Sequence, residues 1–456
     1  MDKTSEKTGI RSFSFDAKNG FVLNGKAMKL KGGCVHHDNG PLGARAYDRA
    51  EYRRVELLKA SGYNAIRTSH NPPSPAFLSA CDELGMLVIE EAFDTWNENK
   101  KPYDYHHYFN QWWKKDIMAM IERDRNHPSV IVWSIGNEIP NMEKKETADV
   151  AKMLADFVRG IDNTRPVTAA VHNLDPNKDA FFSTLDIKGY NYGRAKYVED
   201  HQRLPERVMY GSESFPIEAF DYWMVVEDNT WVVGDFVWTA FDYIGEASIG
   251  WLGYWQKKNF YPWNLAYCGD IDICGWKRPQ SFYRDVLWKK NQLSVFVHPP
   301  VPSFPHNPDK EAWSVWHWED VVADWNWKPA DAKTLAVDVY SSCEEVELML
   351  NGKSLGKKPT NRSTKFIATF DVPNEQGELK AVGYNNGKEA ETKILSTAAA
   401  PAQLKLTADR KTLKADGQDL CYVTVEVVDK NGVRHPKADN LLEFELQGER
   451  HNHFHC

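Results

Sequence analysis

The stretch Asp124-Arg-Asn-His-Pro-Ser-Val-Ile-Val-Trp-Ser-Ile-Gly-Asn-Glu138 decides the fold of this chain. Its middle, Ser129 to Ile135, is an apolar run of strand length, which is typical of a strand buried on both faces of a parallel sheet. Gly136 ends the run, and Asn137 and Glu138 follow at once. Because the strands of a β/α barrel carry the chemistry at their carboxyl ends, we interpret this pair as site residues. A helix cap made by the same pair is the structural alternative.

The composition narrows the class of protein. A chain of 456 residues predicts two or three domains, and a net charge of -8 without a basic run argues against nucleic-acid binding. No run approaches the roughly 18 apolar residues of a membrane span, and the polar start lacks the apolar region of a signal peptide. The seven cysteines are too sparse for a disulfide framework. Seventeen Trp and nineteen Tyr weakly favour a carbohydrate ligand.

From residue 29 onward, strand-like runs alternate with helical patterns. The helical patterns cover Asp48–Ala60, Ser74–Leu84, Ile117–Arg125 and Ala148–Arg159. The predicted strands are Leu30–Val35, Asn64–Arg67, Met86–Glu90, Val130–Trp133, Val167–Val171, Asp186–Tyr190, Val208–Gly211 and Val233–Trp238. Eight such units predict an α/β fold, the (β/α)8 TIM barrel, followed by immunoglobulin-like β-sandwich domains.

Turn and proline signals set the expected domain boundaries. Residues 1–28 are interpreted as the tail of a preceding β-domain with a hairpin at Asn24-Gly25, and residues 29–297 as the catalytic barrel. Residues 298–309 form a Pro-rich linker. Residues 310–396 predict a β-sandwich, and residues 402–456 a partial second one that runs out after too few strands. We therefore expect both ends of the chain to be cut.

A second carboxylate follows another short apolar strand, in Met209-Tyr-Gly-Ser-Glu213. The separation of 75 positions from Glu138 to Glu213 accommodates about three strand–helix units, which places Glu213 after the seventh strand. Both side chains then point into one barrel mouth. Two facing carboxyl groups, one protonated and one ionised, are the equipment for glycoside hydrolysis. A salt-bridge partner in a loop is the alternative role of Glu213.

Two long motifs resemble the signatures of glycoside hydrolase family 2, the family of β-galactosidases, β-glucuronidases and β-mannosidases. They are Asp124 to Glu138 and Asn64-Ala-Ile-Arg-Thr-Ser-His70-Asn-Pro72, and the resemblance covers roughly residues 10–300. The family often has Tyr where this chain has Asn71. The resemblance implies that Glu138 is the acid/base and Glu213 the nucleophile of a retaining mechanism.

The same resemblance implies a set of residues around the substrate. Each has a structural alternative, such as a buried arginine that joins loops, a satisfied histidine or a packed tryptophan. The set comprises Asn137 at the sugar 2-hydroxyl, Tyr192 on the nucleophile, Arg67 beside it, His37 and His70 near the non-reducing sugar, and Trp238 under the ring.

The predictions about the cofactor and the sugar depend on two positions where this chain departs from family patterns. Some family β-galactosidases bind magnesium with a carboxylate-x-His pair, but here Trp96 follows Asp94 at the His position, so no metal is expected and magnesium stays the alternative. β-Glucuronidases carry an Asn-x-Lys, but no Asn stands two residues before Lys277. We expect a neutral β-linked sugar, with galactose the first choice and Asp94 close to its 4-hydroxyl. Lys277 or Arg278 serving a carboxylate keeps β-glucuronidase as the alternative, with β-mannosidase beside it.

Rival functions from other classes stay open. One is a non-catalytic carbohydrate-binding barrel. Another is a metal-dependent hydrolase, suggested by His36-His37 and His106-His107, although adjacent residues of a strand point to opposite faces. The expected partner is a glycoside or oligosaccharide, with no nucleic acid and no membrane, and an oligomer is an open alternative. The resemblance and the β-sandwich domains favour a periplasmic or extracellular location.

Overall fold

The computed structural model describes residues 8–247, 249–250, 265–289, 293–301, 303, 314–445 and 447. It divides into two compact units. The first unit comprises Met1–Arg278 and Glu311–Trp318, and the second comprises Pro279–Lys310 and Glu319–Cys456.

The first unit opens with a three-stranded antiparallel sheet. Its strands are β1 (Phe13–Asp16), β2 (Gly20–Leu23) and β3 (Lys26–Met28). Asn24 and Gly25 connect β2 to β3 with φ angles of 50° and 78°. Two residues with positive φ form the tight turn that suits a two-residue hairpin, so the predicted hairpin is confirmed.

Eight parallel strands close into a barrel, which confirms the predicted (β/α)8 fold. The last barrel strand, Val232–Val237, pairs with the first, Leu30–Val35, so no strand edge is left open. The strands are β4 (Leu30–Val35), β5 (Ala65–Thr68), β6 (Leu87–Glu91), β7 (Val130–Asn137), β8 (Val167–Val171), β9 (Lys188–Asn191), β10 (Met209–Ser214) and β11 (Val232–Val237). Every residue of β7, β10 and β11 is buried, as expected for strands covered on both faces.

Helices separate most of the strands. They are α1 (Asp48–Ala60), α2 (Pro75–Leu84), α3 (His106–Asp124), α4 (Lys145–Ile161), α5 (Asp179–Phe182), α6 (Tyr197–Arg203) and α7 (Ala219–Asp228). The Ser74 side chain caps α2 by accepting a hydrogen bond from the backbone of Phe77. α3 begins eleven residues before the predicted Ile117, because its first turns are largely exposed and show no helical apolar period.

Two consecutive glycines on β4, Gly32 and Gly33, leave room for neighbouring side chains in the barrel core. A Cβ on Gly32 of β4 would lie 2.4 Å from the ring of Phe236, and a Cβ on Gly33 would lie 2.4 Å from Ala240. Only glycine allows this approach. The large Phe236 ring therefore packs beside β4 with Ile89 and Tyr210, and this apolar layer fills the barrel interior.

The second unit is a β-sandwich preceded by helix α8 (Pro279–Leu287). Residues from a three-stranded and a four-stranded sheet share one apolar core, which includes Val339, Phe370 and Leu348. A separate two-stranded sheet follows. The strands are β12 (Leu293–Val297), β13 (Thr334–Ser341) and β16 (Ile367–Pro373) in the first sheet, β14 (Glu345–Leu350), β15 (Lys353–Pro359), β17 (Glu378–Asn385) and β18 (Lys388–Ser396) in the second, and β19 (Pro401–Ala408) and β20 (Val423–Asp429) in the last.

The second unit begins at Pro279, so helix α8 and one strand lie outside the barrel that was predicted to end at residue 297. Leu293–Val297 pairs antiparallel with β13 and belongs to the second unit. An apolar run shows that a strand is buried but not which sheet it joins. Within the described part of the chain, no helix is long and apolar enough to cross a membrane.

Candidate active site

Polar side chains gather at the carboxyl ends of the barrel strands. Two of them leave their strands with a left-handed backbone, Glu138 with φ 45° and Tyr192 with φ 53°. The Glu138 amide donates to Ala170 at 2.9 Å, and the Tyr192 amide donates to the Glu213 carbonyl at 2.8 Å. These bonds fix the direction of each side chain, because the backbone of the turn is held by the neighbouring strand.

The buried guanidinium of Arg67, on β5, joins three strand ends. It donates to both oxygens of Glu91 at 2.8–2.9 Å, to Glu213 Oε1 at 2.8 Å and to Asn137 Oδ1 at 2.9 Å. A guanidinium stays charged in a protein and presents a rigid fork of donors. Arg67 therefore sets the relative positions of two carboxylates and one amide.

Glu213 lies on β10 and has donors on both oxygens. Oε1 accepts from Arg67, and Oε2 accepts from the Tyr192 hydroxyl at 2.7 Å. Its pKa is raised, because burial penalises the charged form and the negative charge of Glu138 adds to this, while Arg67 offsets part of the effect. The two donors hold the carboxylate in one orientation.

Glu138, at the end of β7, is half-buried and has a neutral partner. Its Oε1 accepts from Asn191 Nδ2 at 2.9 Å. The same amide donates to Asn137 Oδ1 at 3.1 Å, and Asn191 Oδ1 accepts from Ser212 Oγ at 2.7 Å. A chain of amides thus links Glu138 to Arg67 and through it to Glu213. Asn191 is not among the predicted site residues, although it stands directly before Tyr192 at the end of a strand.

Glu91 was also missed as a site residue. It is fully buried at the end of β6 and accepts from Arg67, from Ser134 Oγ at 2.7 Å and from His70 Nδ1 at 2.7 Å. Burial would raise the pKa of Glu91, but the positive charge of Arg67 and the hydrogen bond from His70 lower it. Its signal in the sequence is the one that identified Glu138, a carboxylate at the end of a buried apolar strand.

His70 and Trp238 form one wall of the site. Their rings stack with centroids 5.0 Å apart and an interplanar angle of 8°. His70 Nε2 lies 4.0 Å from Glu213 Oε1. Burial disfavours the charged form of His70, but the hydrogen bond and charge of Glu91 outweigh it and raise its pKa. Trp238 donates to the Tyr243 hydroxyl at 3.1 Å, which fixes the indole plane.

His37, which was predicted to lie near the non-reducing sugar, follows β4 directly after His36. Its side chain is exposed and its ring lies 5.5 Å from that of His36. His36 instead stacks on Tyr243 at 4.3 Å and lies 6.3 Å from His70. Burial and the nearby His70 lower the pKa of His36 to about 3, and its ring is therefore neutral.

Asp94 accepts from Asn137 Nδ2 at 3.0 Å and from Lys100 Nζ at 2.7 Å. Burial raises its pKa, while the positive charges of His70 and Lys100 outweigh this and lower it. Trp96 is fully buried and donates its indole N–H to the Ile135 carbonyl at 2.8 Å. An indole has no metal-ligating lone pair, and Lys100 already supplies the cation beside Asp94, so these residues do not fit magnesium.

The remaining metal and carboxylate candidates have other partners. His106 Nδ1 lies 2.6 Å from Asp104 Oδ1, and His107 Nε2 lies 2.8 Å from the Pro102 carbonyl, so both bond within their own loop. No group of three His, Cys, Asp or Glu side chains that could hold a metal occurs within the ranges that the structure describes. Arg278 donates to both oxygens of Asp242 and lies 3.8 Å from the centre of the Tyr267 ring.

The arrangement can divide acid and base chemistry between two carboxyl groups. Glu213 is buried against a permanent cation and a hydroxyl donor, which hold the carboxylate in one orientation and offset part of the rise in its pKa. Glu138 is half-buried, and within the described ranges it has one donor, a neutral amide on Oε1, so its other oxygen can carry and transfer a proton. Different environments of this kind assign acid and base roles to a pair of carboxyl groups.

Comparisons with known proteins agree on one family. Residues 16–213 match the profile described as Glycosyl hydrolases family 2, TIM barrel domain. Residues 404–451 match Glycoside hydrolase family 2 C-terminal domain 5, and residues 332–391 match a domain of unknown function.

The alignments with similar proteins cover nearly the whole length of this chain. Beta-galactosidase BoGH2A of Bacteroides ovatus is 34% identical over 528 residues, which covers 98% of this chain and 57% of that protein. A beta-glucuronidase of Formosa agariphila is 24% identical over 98% of this chain and 44% of its own length. The crystal structure of a glycosyl hydrolase family 2 member from Bacteroides cellulosilyticus has a TM-score of 0.91 and 55% identity, and the match covers 94% of this chain and 55% of that one. The chain spans about half the length of these relatives.

Proposed function

Because the chain belongs to glycoside hydrolase family 2, we propose that it removes a terminal non-reducing β-linked sugar with Glu213 as nucleophile and Glu138 as acid/base. The observation that carries this proposal is the asymmetry of the two carboxyl groups. Arg67 and Tyr192 hold both oxygens of Glu213, whereas the donor to Glu138 among the described residues is the amide of Asn191. A nucleophile must be fixed and ionised, and an acid must be able to carry a proton.

The proposed reaction has two steps and retains the configuration of the sugar. Glu213 forms a bond to the anomeric carbon while the bond to the leaving oxygen breaks, and Glu138 gives its proton to that oxygen. In the second step Glu138 takes a proton from water, the water oxygen bonds to the anomeric carbon, and the bond to Glu213 breaks. Asn137 is placed to hold the sugar 2-hydroxyl, since its amide is fixed by Arg67 and Asp94.

We propose a neutral sugar, with β-galactose the first choice. A uronic acid needs a cation free to meet its carboxylate in a partly desolvated pocket, and an unpaired carboxylate there costs several kcal/mol. Arg278, one of the two cations suggested for that task, is held by both oxygens of Asp242. Hydroxyl-binding groups are available in Asp94, His70 and His36 around the same mouth. The similarity to a beta-galactosidase over 98% of the chain supports this choice.

A panel of nitrophenyl β-glycosides tests the proposal. We expect the galactoside to give the highest kcat/KM among the galactoside, glucoside, mannoside and glucuronide. The highest value for the glucuronide would favour the β-glucuronidase alternative, to which the relative from Formosa agariphila points. Binding of the sugars without turnover of any glycoside would favour a non-catalytic barrel. Because Trp96 and Lys100 stand where magnesium would need ligands and space, we expect full activity after treatment with EDTA.

A further inference from the structure

A tryptophan from beyond the barrel strands contacts the site. Trp316 belongs to the first unit although it follows Tyr192 by 124 residues. Its side chain is 8% exposed. The indole Nε1 donates to the Tyr192 hydroxyl oxygen at 3.0 Å. The Trp316 ring also meets the rings of Tyr192 and Phe215 edge-on, at centroid distances of 5.8 and 5.5 Å.

This hydrogen bond fixes the direction of the Tyr192 proton. An indole N–H only donates, so the hydroxyl oxygen of Tyr192 must accept from Trp316. The single hydroxyl proton then goes to Glu213 Oε2, 2.7 Å away. Phe215 stacks on the Tyr192 ring at 4.2 Å and keeps the ring in place. The result is a directed chain of two hydrogen bonds that runs from Trp316 through Tyr192 to Glu213.

We infer that Trp316 is a positioning residue that acts on the nucleophile through Tyr192, an inference that rests on the proposed function. Successive hydrogen bonds polarise one another, so Tyr192 is a stronger donor with Trp316 bonded than without it. When the bond between Glu213 and the anomeric carbon breaks, the electron pair returns to the carboxylate. A preorganised donor aimed at this developing charge stabilises the transition state of that step.

The predicted effect lies in the second step of the reaction. A dinitrophenyl glycoside has a good leaving group, so release of the sugar from Glu213 limits its turnover. Trp316→Phe should then lower kcat by about three- to tenfold, the range expected for one lost hydrogen bond. KM should fall together with kcat because the glycosyl-enzyme accumulates, so kcat/KM should change by less than about twofold.

A double-mutant cycle separates positioning from direct contact. Tyr192→Phe removes the hydroxyl through which Trp316 acts, so adding Trp316→Phe to it should have no further effect. Trp316→His keeps a ring N–H and should recover part of kcat. The matched control is Trp231→Phe, a buried tryptophan that stacks on His201, and it should leave kcat and KM unchanged.

Two measurements keep the outcomes distinct. Titration with a slowly released 2-fluoro glycoside counts the folded sites in each variant, and mass spectrometry locates the label. A wild-type protein that forms no adduct on Glu213 would overturn the proposed function and this inference with it. An adduct on Glu213, together with a Trp316→Phe effect that is equally large in the Tyr192→Phe background, would overturn the inference alone. A raised KM at constant kcat would do the same, since it would make Trp316 a substrate contact.

Discussion

At the residue scale, the neighbours of each carboxyl group decide its chemistry. Glu138 and Glu213 are the same residue type at the ends of two strands of one barrel. Arg67 faces Glu213 at 2.8 Å, while the hydrogen-bond donor to Glu138 is the neutral amide of Asn191. A charged donor makes a stronger hydrogen bond to a carboxylate than a neutral donor does. The proposed assignment of Glu213 as nucleophile and Glu138 as acid rests on this difference between their partners.

Substitution of each carboxylate should give a different kinetic pattern. Glu213→Gln should reduce turnover to background, because no other described group is placed to attack the sugar. Glu138→Gln should slow glycosides with poor leaving groups by roughly 10²- to 10⁴-fold and dinitrophenyl glycosides much less, since they need little acid help. Azide should rescue Glu138→Ala as a β-glycosyl azide and should not do so for Glu213→Ala. An α-configured azide from Glu138→Ala would reverse the two roles.

Glu91 should be as important for stability as for the geometry of the site. Glu91→Gln removes one of the two carboxylates that face the Arg67 charge. Because this breaks a buried ion pair, we expect it to lower the free energy of unfolding by about 3–5 kcal/mol. The pKa of Glu91 is lowered in the fold, so its stabilising effect is present above the pKa of the unfolded chain, about 4.3, and is lost as pH falls through the folded value.

Thermal unfolding from pH 7 down to pH 3 measures this effect. We expect a large Tm deficit of Glu91→Gln at pH 7 that shrinks as the pH falls. Glu122→Gln, on the exposed side of α3, is the matched control and should follow the wild type throughout. A deficit that grows toward low pH would contradict the described pairing of Glu91.

At the element scale, the packing of β6 against α3 contains a second buried carboxyl group. Glu90 is fully buried, and its carboxyl group faces Asp124 and lies 3.9 Å from Arg123 Nη2. Its pKa is raised well above the usual range by burial and by the nearby Asp124, with only partial relief from Arg123. A group with a raised acidic pKa favours the fold below the unfolded pKa, and this contribution is lost as pH rises through the folded value.

Glu90→Gln should therefore stabilise the protein at neutral pH. The neutral amide avoids the cost of ionising a buried carboxyl group, and we expect a gain of about 1 kcal/mol at pH 8 that disappears near pH 4. Urea unfolding at the two pH values measures it. A loss of stability at pH 8 would mean that the carboxylate of Glu90 is needed in its charged form.

The elements also show what the sequence could and could not predict. The barrel strands were predictable because a strand buried on both faces is a continuous apolar run, as in β7. The start of α3 was not, since its exposed first turns lack an apolar period. The sequence also could not assign Leu293–Val297 to the β13 sheet, because register with a partner 40 residues away leaves no local trace.

At the scale of the whole molecule, part of the candidate site was predictable from the sequence and part was not. Strand spacing was enough to bring Arg67, Asn137, Tyr192 and Glu213 to one mouth, since each ends a strand of one barrel. Asn191 and Glu91 carried the same signal and were overlooked. Trp316 carried none, because it reaches Tyr192 from 124 residues away, after the strands of the barrel are complete.

The two units have separate apolar cores. A core substitution in the sandwich should therefore lower the stability of that unit without changing catalysis in the barrel. Leu348 on β14 is fully buried in the core of the sandwich, and Leu348→Ala should cost about 2–5 kcal/mol in the free energy of unfolding of that unit. Calorimetry should show an earlier transition for the sandwich, while kcat/KM at 25 °C stays at the wild-type value because the barrel core is unchanged. Leu406→Ala, at an exposed position of β19, is the matched control and should alter neither quantity. A fall of kcat/KM in Leu348→Ala below the onset of unfolding would mean that the sandwich supports the geometry around Glu138 and Glu213.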